Sequence, residues 1–149
     1  MIYLLSAPVQ TGKTTSLIEW SSGKKDVWGI LTPVINGKRG FMDLHSREQF
    51  PMEAVEGEET LDVGRFQFSK KHFNKAIEII REAIKKDGWI IIDEIGPLEL
   101  RGQGFHDIAK QLLAKRKERI ILVVREGLAQ QVKDHFMIDA TIIDAINKL

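Results

Sequence analysis

The chain has no cysteine, so a disulfide framework, a thiolate metal site and a cysteine nucleophile are all closed to it. Only 4 of its 149 residues are proline, while 43% are hydrophobic and 29% charged, which excludes the disordered and fibrous classes and fits one compact soluble domain spanning residues 1–149. Neither charge is in excess: 22 Lys and Arg stand against 21 Asp and Glu, a formal +1. That balance argues against nucleic acid or an anionic membrane as the main partner. Long hydrophobic runs are missing as well. The apolar start Met1-Ile2-Tyr3-Leu4-Leu5 has no basic leader and falls far short of the ~18 apolar residues of a membrane span, as does every other run. No membrane partner is expected, and the cytoplasm is the simplest compartment. His45, His72, His106 and His135 lie far apart without metal-ligand spacing, so no chemistry is assigned to them.

What is present is an alternation of apolar runs and helical periodicities. Ile2 to Leu5 reads as a buried strand ending at small residues and a proline, with a helix beginning near Gly12 and closing at Ser21-Ser22-Gly23. Val27 to Leu31 reads as a second strand, broken by Thr32-Pro33. Asn36-Gly37 between extended residues predicts a hairpin, because both turn positions need positive φ, with pairing continued through Gly40 to Leu44. From His45 to Asp62 the expectation is irregular exposed loop, with a short strand at Met52 to Val55, followed by a strand over Arg65 to Phe68. Phe73, Ile77, Ile80 and Ile84 have helical spacing. Trp89-Ile90-Ile91-Ile92 and Ile120 to Val124 are uninterrupted apolar runs, which suits central parallel strands covered on both faces. Helices are expected over Phe105 to Arg116 and Leu128 to about His135, and a short strand over Thr141 to Ile143. Strands alternating with helices in this way indicate a three-layer α/β sheet.

Two short segments carry chemistry. Ala7-Pro8-Val9-Gln10-Thr11-Gly12-Lys13-Thr14 has the spacing of a Walker A phosphate loop, with alanine at the first glycine position, directly after the first strand and at the opening of the first helix. Gly12 lets successive N–H groups turn toward phosphate oxygens at a helix start whose dipole favours anions. Lys13 would bridge the β- and γ-phosphates, Thr14 would offer its hydroxyl to Mg²⁺, and Thr15 would extend the helix start toward the α-phosphate. The second segment is Asp93-Glu94, at the end of the apolar strand. An Asp there can hold Mg²⁺ opposite Thr14, and Glu94 can orient or deprotonate an attacking water. The bland alternatives, a chance Gly-Lys-Thr and a strand that merely ends at solvent, lose weight when both motifs occur in order at strand ends. Arg125 follows the strand Ile120 to Val124 and should emerge on the same edge as Asp93, within reach of a γ-phosphate or simply at the surface. Lys38 and Arg39 read as solvated, and the cluster Lys110, Lys115, Arg116, Lys117 and Arg119 as a basic helix end.

Asp93-Glu94-Ile95-Gly96-Pro97-Leu98-Glu99-Leu100 resembles the Walker B segment of the small nucleoside-triphosphatase family of the THEP type. Gly29-Ile30-Leu31-Thr32-Pro33, Arg39-Gly40-Phe41 and Gly64-Arg65-Phe66 look like that family's intervening landmarks in the same order, so that the resemblance covers about residues 1–125. It implies a three-layer α/β P-loop NTPase sheet, mostly parallel, with an antiparallel hairpin after the second strand. It also implies Mg²⁺-dependent hydrolysis of nucleoside 5′-triphosphates to diphosphates with low base selectivity. Lys13 and Thr14 match the family's phosphate and metal positions, and Asp93 and Glu94 its Walker B pair. Ala7 and Gln10 depart from loop glycines, Pro97 from a lysine and Val34 from a common acidic residue. The same loop would also serve a nucleotide or small-metabolite kinase, or a nucleotide-dependent binding module with slow hydrolysis.

Overall fold

In the computed structural model, residues 1–8 and 12–149 are described; Val9, Gln10 and Thr11 of the expected phosphate loop lie outside the described residues. The parallel part of the main sheet is built from β1 (Ile2–Leu5), β2 (Val27–Leu31), β8 (Trp89–Ile95), β9 (Ile120–Val124) and β10 (Ala140–Ile143), in the order β10-β1-β9-β8-β2. β4 (Lys38–Asp43) adds antiparallel to β2, and β3 (Val34–Ile35) and β5 (Gln49–Pro51) pair with β4. The fold is mixed α/β and mostly parallel, as the strand alternation predicts.

Side chains alternate across the pleat, and the two faces of β8 and β9 are covered by different helices. On one face Leu17 of α1 (Lys13–Ser21) joins Leu5, Ile91, Ile121 and Val123. On the other, Ile90, Ile92, Ile120 and Leu122 pack with Phe73, Ala76 and Ile80 of α2 (Lys70–Ile84) and with Ile108 and Leu112 of α4 (His106–Lys115). Burying each such aliphatic side chain stabilises the fold by ~1.5–3 kcal/mol, which makes the uninterrupted apolar runs of β8 and β9 stable only as central strands. Helix α2 starts where Ser69 Oγ accepts the His72 N–H at 3.2 Å, and its buried positions 73, 76, 80 and 83 keep one helical stripe inward. The Asn36-Gly37 hairpin forms with φ of 51° and 79°, and pairs Val34 with Arg39 and Ile35 with Lys38.

Two expectations need correction, and one short helix is additional. The strand expected at Met52 to Val55 is β5, Gln49–Pro51, because pairing Phe50 opposite Phe41 puts both rings in the core. The loop expected through Asp62 contains β6 (Thr60–Val63), which pairs antiparallel with β7 (Phe66–Ser69) to make a separate ribbon. A short helix, α3 (Pro97–Leu100), follows β8 with proline in its first turn, where a missing N–H costs nothing. The remaining helix, α5 (Ala129–Phe136), lies one residue from its expected span.

Candidate active site

The parallel strands point their C-terminal ends toward one edge, and the residues that follow β1, β2, β8 and β9 meet there. Gly12 precedes α1 with φ of 78°, and beyond its chain neighbours none of the described residues comes within 4 Å of where a Cβ would stand, so the left-handed turn is what calls for glycine. Lys13 and Thr14 open α1. The Lys13 ammonium donates to the carbonyl of buried Ala7 at 2.9 Å. Thr14 Oγ1 donates to Asp93 Oδ2 at 2.8 Å, and the backbone N–H of Thr32, just past β2, donates to the same oxygen at 3.1 Å. Asp93 itself is buried, with 1% of its surface exposed, so these donors are what make its carboxylate tolerable there. Thr15 lies on the exposed side of the helix start, and Pro8 is exposed before it.

Glu94 occupies a bulge. Asp93 pairs with Val123 and Ile95 with Val124, which leaves Glu94 as the extra residue of β8. The bulge re-aims its carboxylate out of the ladder toward Arg125, whose Nε lies 3.6 Å from Glu94 Oε1. Burial pushes the Glu94 carboxyl above the ordinary carboxylate range, and the neighbouring Asp93 charge pushes it further; Arg125, Arg39 and Lys13 pull the other way. Lys13, Thr14, Asp93, Glu94 and Arg125 thus converge on one edge.

Three residues without an assigned role also belong to this edge. Thr32 links Asp93 to Arg39, whose Nη1 donates to the Thr32 carbonyl and hydroxyl oxygens, each at 3.2 Å. Arg39, read from its place in the hairpin as solvated, is exposed yet turned back onto this polar chain, whereas Lys38 meets Glu53 at 3.4 Å on the surface. Glu99 is buried, its two oxygens accepting the N–H groups of Gly96 and Phe105 at 2.8 and 3.0 Å. Desolvation raises its carboxyl to about 7 in spite of those amides. Gly104 is forced by this carboxylate: a Cβ there would stand 2.2 Å from Glu99 Oε2. The sequence signals were faint, a Thr-Pro after a strand for Thr32 and the third acidic residue of Asp93 to Leu100 for Glu99.

A cavity of about 400 Å³ opens beside Glu94, walled by Phe41, Phe68, Phe73 and Phe105 and rimmed by Arg39 and Arg65. Elsewhere, the histidines are less scattered than their spacing implied, since His106 and His135 bring their Nε2 atoms within 3.0 Å. Among the described residues no cluster of three or more His, Asp or Glu has metal-holding geometry, and no helix is long and apolar enough to cross a membrane.

The model of the NTPase family matches residues 2–148. The chain belongs to this NTPase family. Membership makes it an enzyme that cleaves nucleoside triphosphates, and the match runs past Arg125, where the recognisable landmarks ended. Nucleoside-triphosphatase THEP1 of Methanopyrus kandleri is 31% identical over 121 residues, covering 75% of this chain and 67% of the relative. The protein of the same name from Methanothermobacter thermautotrophicus is 33% identical over 124 residues, 79% of this chain and 70% of the relative. The crystal structure of THEP1 from Aquifex aeolicus superposes with a TM-score of 0.75 at 23% identity, over 99% of this NTPase-family chain and 92% of its own. The solution structure of a human cancer-related nucleoside triphosphatase gives a TM-score of 0.68 at 23% identity, over 96% and 87%. These two likenesses concern the fold.

Proposed function

We propose that residues 1–149 act as one Mg²⁺-dependent phosphohydrolase that converts nucleoside 5′-triphosphates to diphosphate and phosphate with little choice of base. The observation that carries this reading is the contact of Thr14 Oγ1 with Asp93 Oδ2, which ties the start of α1 to the end of β8 beside Glu94. A hydroxyl and a carboxylate converging there are hard oxygen donors, the kind Mg²⁺ takes, so the pair fits the ion. When bound, Mg²⁺ would neutralise charge on the β- and γ-phosphate oxygens.

The chain's own groups do the rest. Backbone N–H groups at the start of α1 receive phosphate oxygens, and the helix dipole favours them. Lys13 exchanges the Ala7 carbonyl for phosphate oxygens, a stronger, charged acceptor. Glu94 orients the attacking water and takes its proton as the water oxygen bonds to the γ-phosphorus. The bond from that phosphorus to the bridging oxygen breaks, and the diphosphate leaves with the electron pair. Arg125 holds Glu94 in place and faces the developing negative charge. The motif residues grip phosphates and leave the base alone, which supports the broad base tolerance.

The test is phosphate release from ATP, GTP, CTP and UTP with and without Mg²⁺. Comparable rates across the four, lost on chelation, are expected. Glu94→Gln should keep triphosphate binding while turnover falls by roughly 10²–10⁴, the range of a general base. Lys13→Ala should weaken binding by roughly 10- to 100-fold, the loss of a charged hydrogen bond. Normal release by both variants would defeat the reading.

A further inference from the structure

The cavity of about 400 Å³ is far larger than a hydrolytic water needs, given that a water occupies about 30 Å³. Its position decides what it can serve. No described residue before Thr32 lines it, so neither Lys13 nor Thr14 is part of its wall, and its floor residues Phe73 and Phe105 belong to the face of the sheet opposite α1. Among the described residues, the phosphate site and the cavity therefore meet along Thr32, Arg39, Glu94 and Arg125. Since Glu94 stands where the γ-phosphate is attacked, the nucleoside of the triphosphate lies in the other direction, beyond the α-phosphate. The cavity is on the attacking side.

Its lining describes an occupant. Phe68, Phe73 and Phe105 supply aromatic surface, and Phe66 and Val34 stand at the mouth with 43% and 65% of their surface exposed, an apolar lip. Phe66 and Phe68 lie nearly parallel, at 7°, with Arg65 stacked on Phe66 at 5.2 Å from the ring centre. Such walls suit a flat ring, and Arg39 and Arg65 give the rim polar donors. Resting on the proposed role of Glu94, we infer that this cavity receives a second substrate, a small alcohol bearing a planar ring and of nucleoside size, and that the γ-phosphoryl group passes to its hydroxyl. The hydroxyl oxygen bonds to the γ-phosphorus while its proton goes to the Glu94 carboxylate. The bridging P–O bond breaks and the nucleoside diphosphate departs with the electron pair, leaving a phosphate monoester of the alcohol. Water then competes for the same position only when the cavity is empty.

The experiment uses ATP labelled at the γ-phosphate, Mg²⁺ and a panel of ribonucleosides, deoxyribonucleosides and pyridine or pyrimidine alcohols, with products separated as inorganic phosphate and phosphate monoester. At least one alcohol should give labelled monoester, saturably and faster than phosphate release. Val63→Trp, which fills the cavity from β6, should abolish that transfer while phosphate release to water stays unchanged. Phe66→Ser, a change at an exposed position, should raise the KM for the alcohol by roughly 5- to 100-fold, the loss of one ring stacking contact, with release to water again unaltered. Normal phosphate release with no monoester from any alcohol overturns the inference and leaves the hydrolase reading standing. Transfer undiminished in both variants also overturns it. Absence of both products overturns the reading of Glu94 together with the inference.

Discussion

The two sides of the sheet edge at Glu94 are built on opposite plans. On the α1 side a few polar groups, adjacent in sequence or hydrogen-bonded across elements, do the positioning: Lys13 to Ala7, Thr14 and Thr32 to Asp93. On the α2 side, aromatic rings from β4, β7, α2 and the turn before α4 enclose space, with Phe41, Phe73 and Phe105 in mutual ring contact at 5.1 to 6.2 Å. The first arrangement holds an anion through direction and charge, and it needs little volume. The second excludes water and shapes a void, so it needs many residues and little direction. An enzyme that cleaved triphosphates with water alone would require only the first.

If the aromatic side is what stabilises that half of the molecule, Phe73→Ala should destabilise the fold most, by about 3–5 kcal/mol in urea unfolding, because Phe73 is buried amid other rings. A loss under about 1 kcal/mol would mean the rings merely line space, contrary to the usual cost of removing a buried Phe. Glu99 sharpens the contrast, since it is the ionisable group buried under the aromatic side. Its carboxyl titrates at about 7 in the fold and at the ordinary 4.5 when unfolded. The folded protein therefore binds the extra proton between those values, and the stability due to Glu99 is complete below 4.5 and lost as pH rises through 7. The loss should approach ~3 kcal/mol by pH 8, from 1.36 kcal/mol per pKa unit, and Glu99→Gln, which copies the neutral carboxyl, should remove that part of the pH dependence of the melting temperature. An unchanged pH profile in the variant would show that another group titrates there. The smallest effect is expected on the polar side: Thr14→Val should cost ~1–3 kcal/mol by withdrawing one donor from buried Asp93, with Thr32 still in place. Thermal unfolding without nucleotide measures it.

The same contrast explains what the sequence made legible. A phosphate loop must be contiguous, since consecutive N–H groups have to face one anion, so Gly12, Lys13 and Thr14 announce themselves by spacing. Asp93 and Glu94 are legible because an apolar run that stops at two carboxylates has little else to be. Glu94's aim was not, for it depends on a bulge that only the register with β9 reveals. Glu99 depends on amides of Gly96 and Phe105 that close around it after α3 and the following turn have formed. Arg39 looked like a hairpin charge because its partner, Thr32, lies across the hairpin rather than along the strand. β7 was legible from its alternation over Arg65 to Phe68, whereas its partner β6 was not, because Leu61 and Val63 are too short an alternation to outweigh the acidic stretch before them. No motif describes a cavity whose rings come from separate elements.

The strand that carries the phosphate loop is made before both of the strands that enclose it. Its Ile2 pairs with Ile120 on one side and Ala140 on the other, both far down the chain. Parallel partners so distant can pair only after long loops close, which is intrinsically slow. During synthesis, β1 therefore has no sheet to join until β9 appears, and no second neighbour until β10. On the proposed function, the loop can grip a triphosphate only after β10 has been made, and a nucleotide that binds only the finished sheet stabilises it over every shorter nascent form.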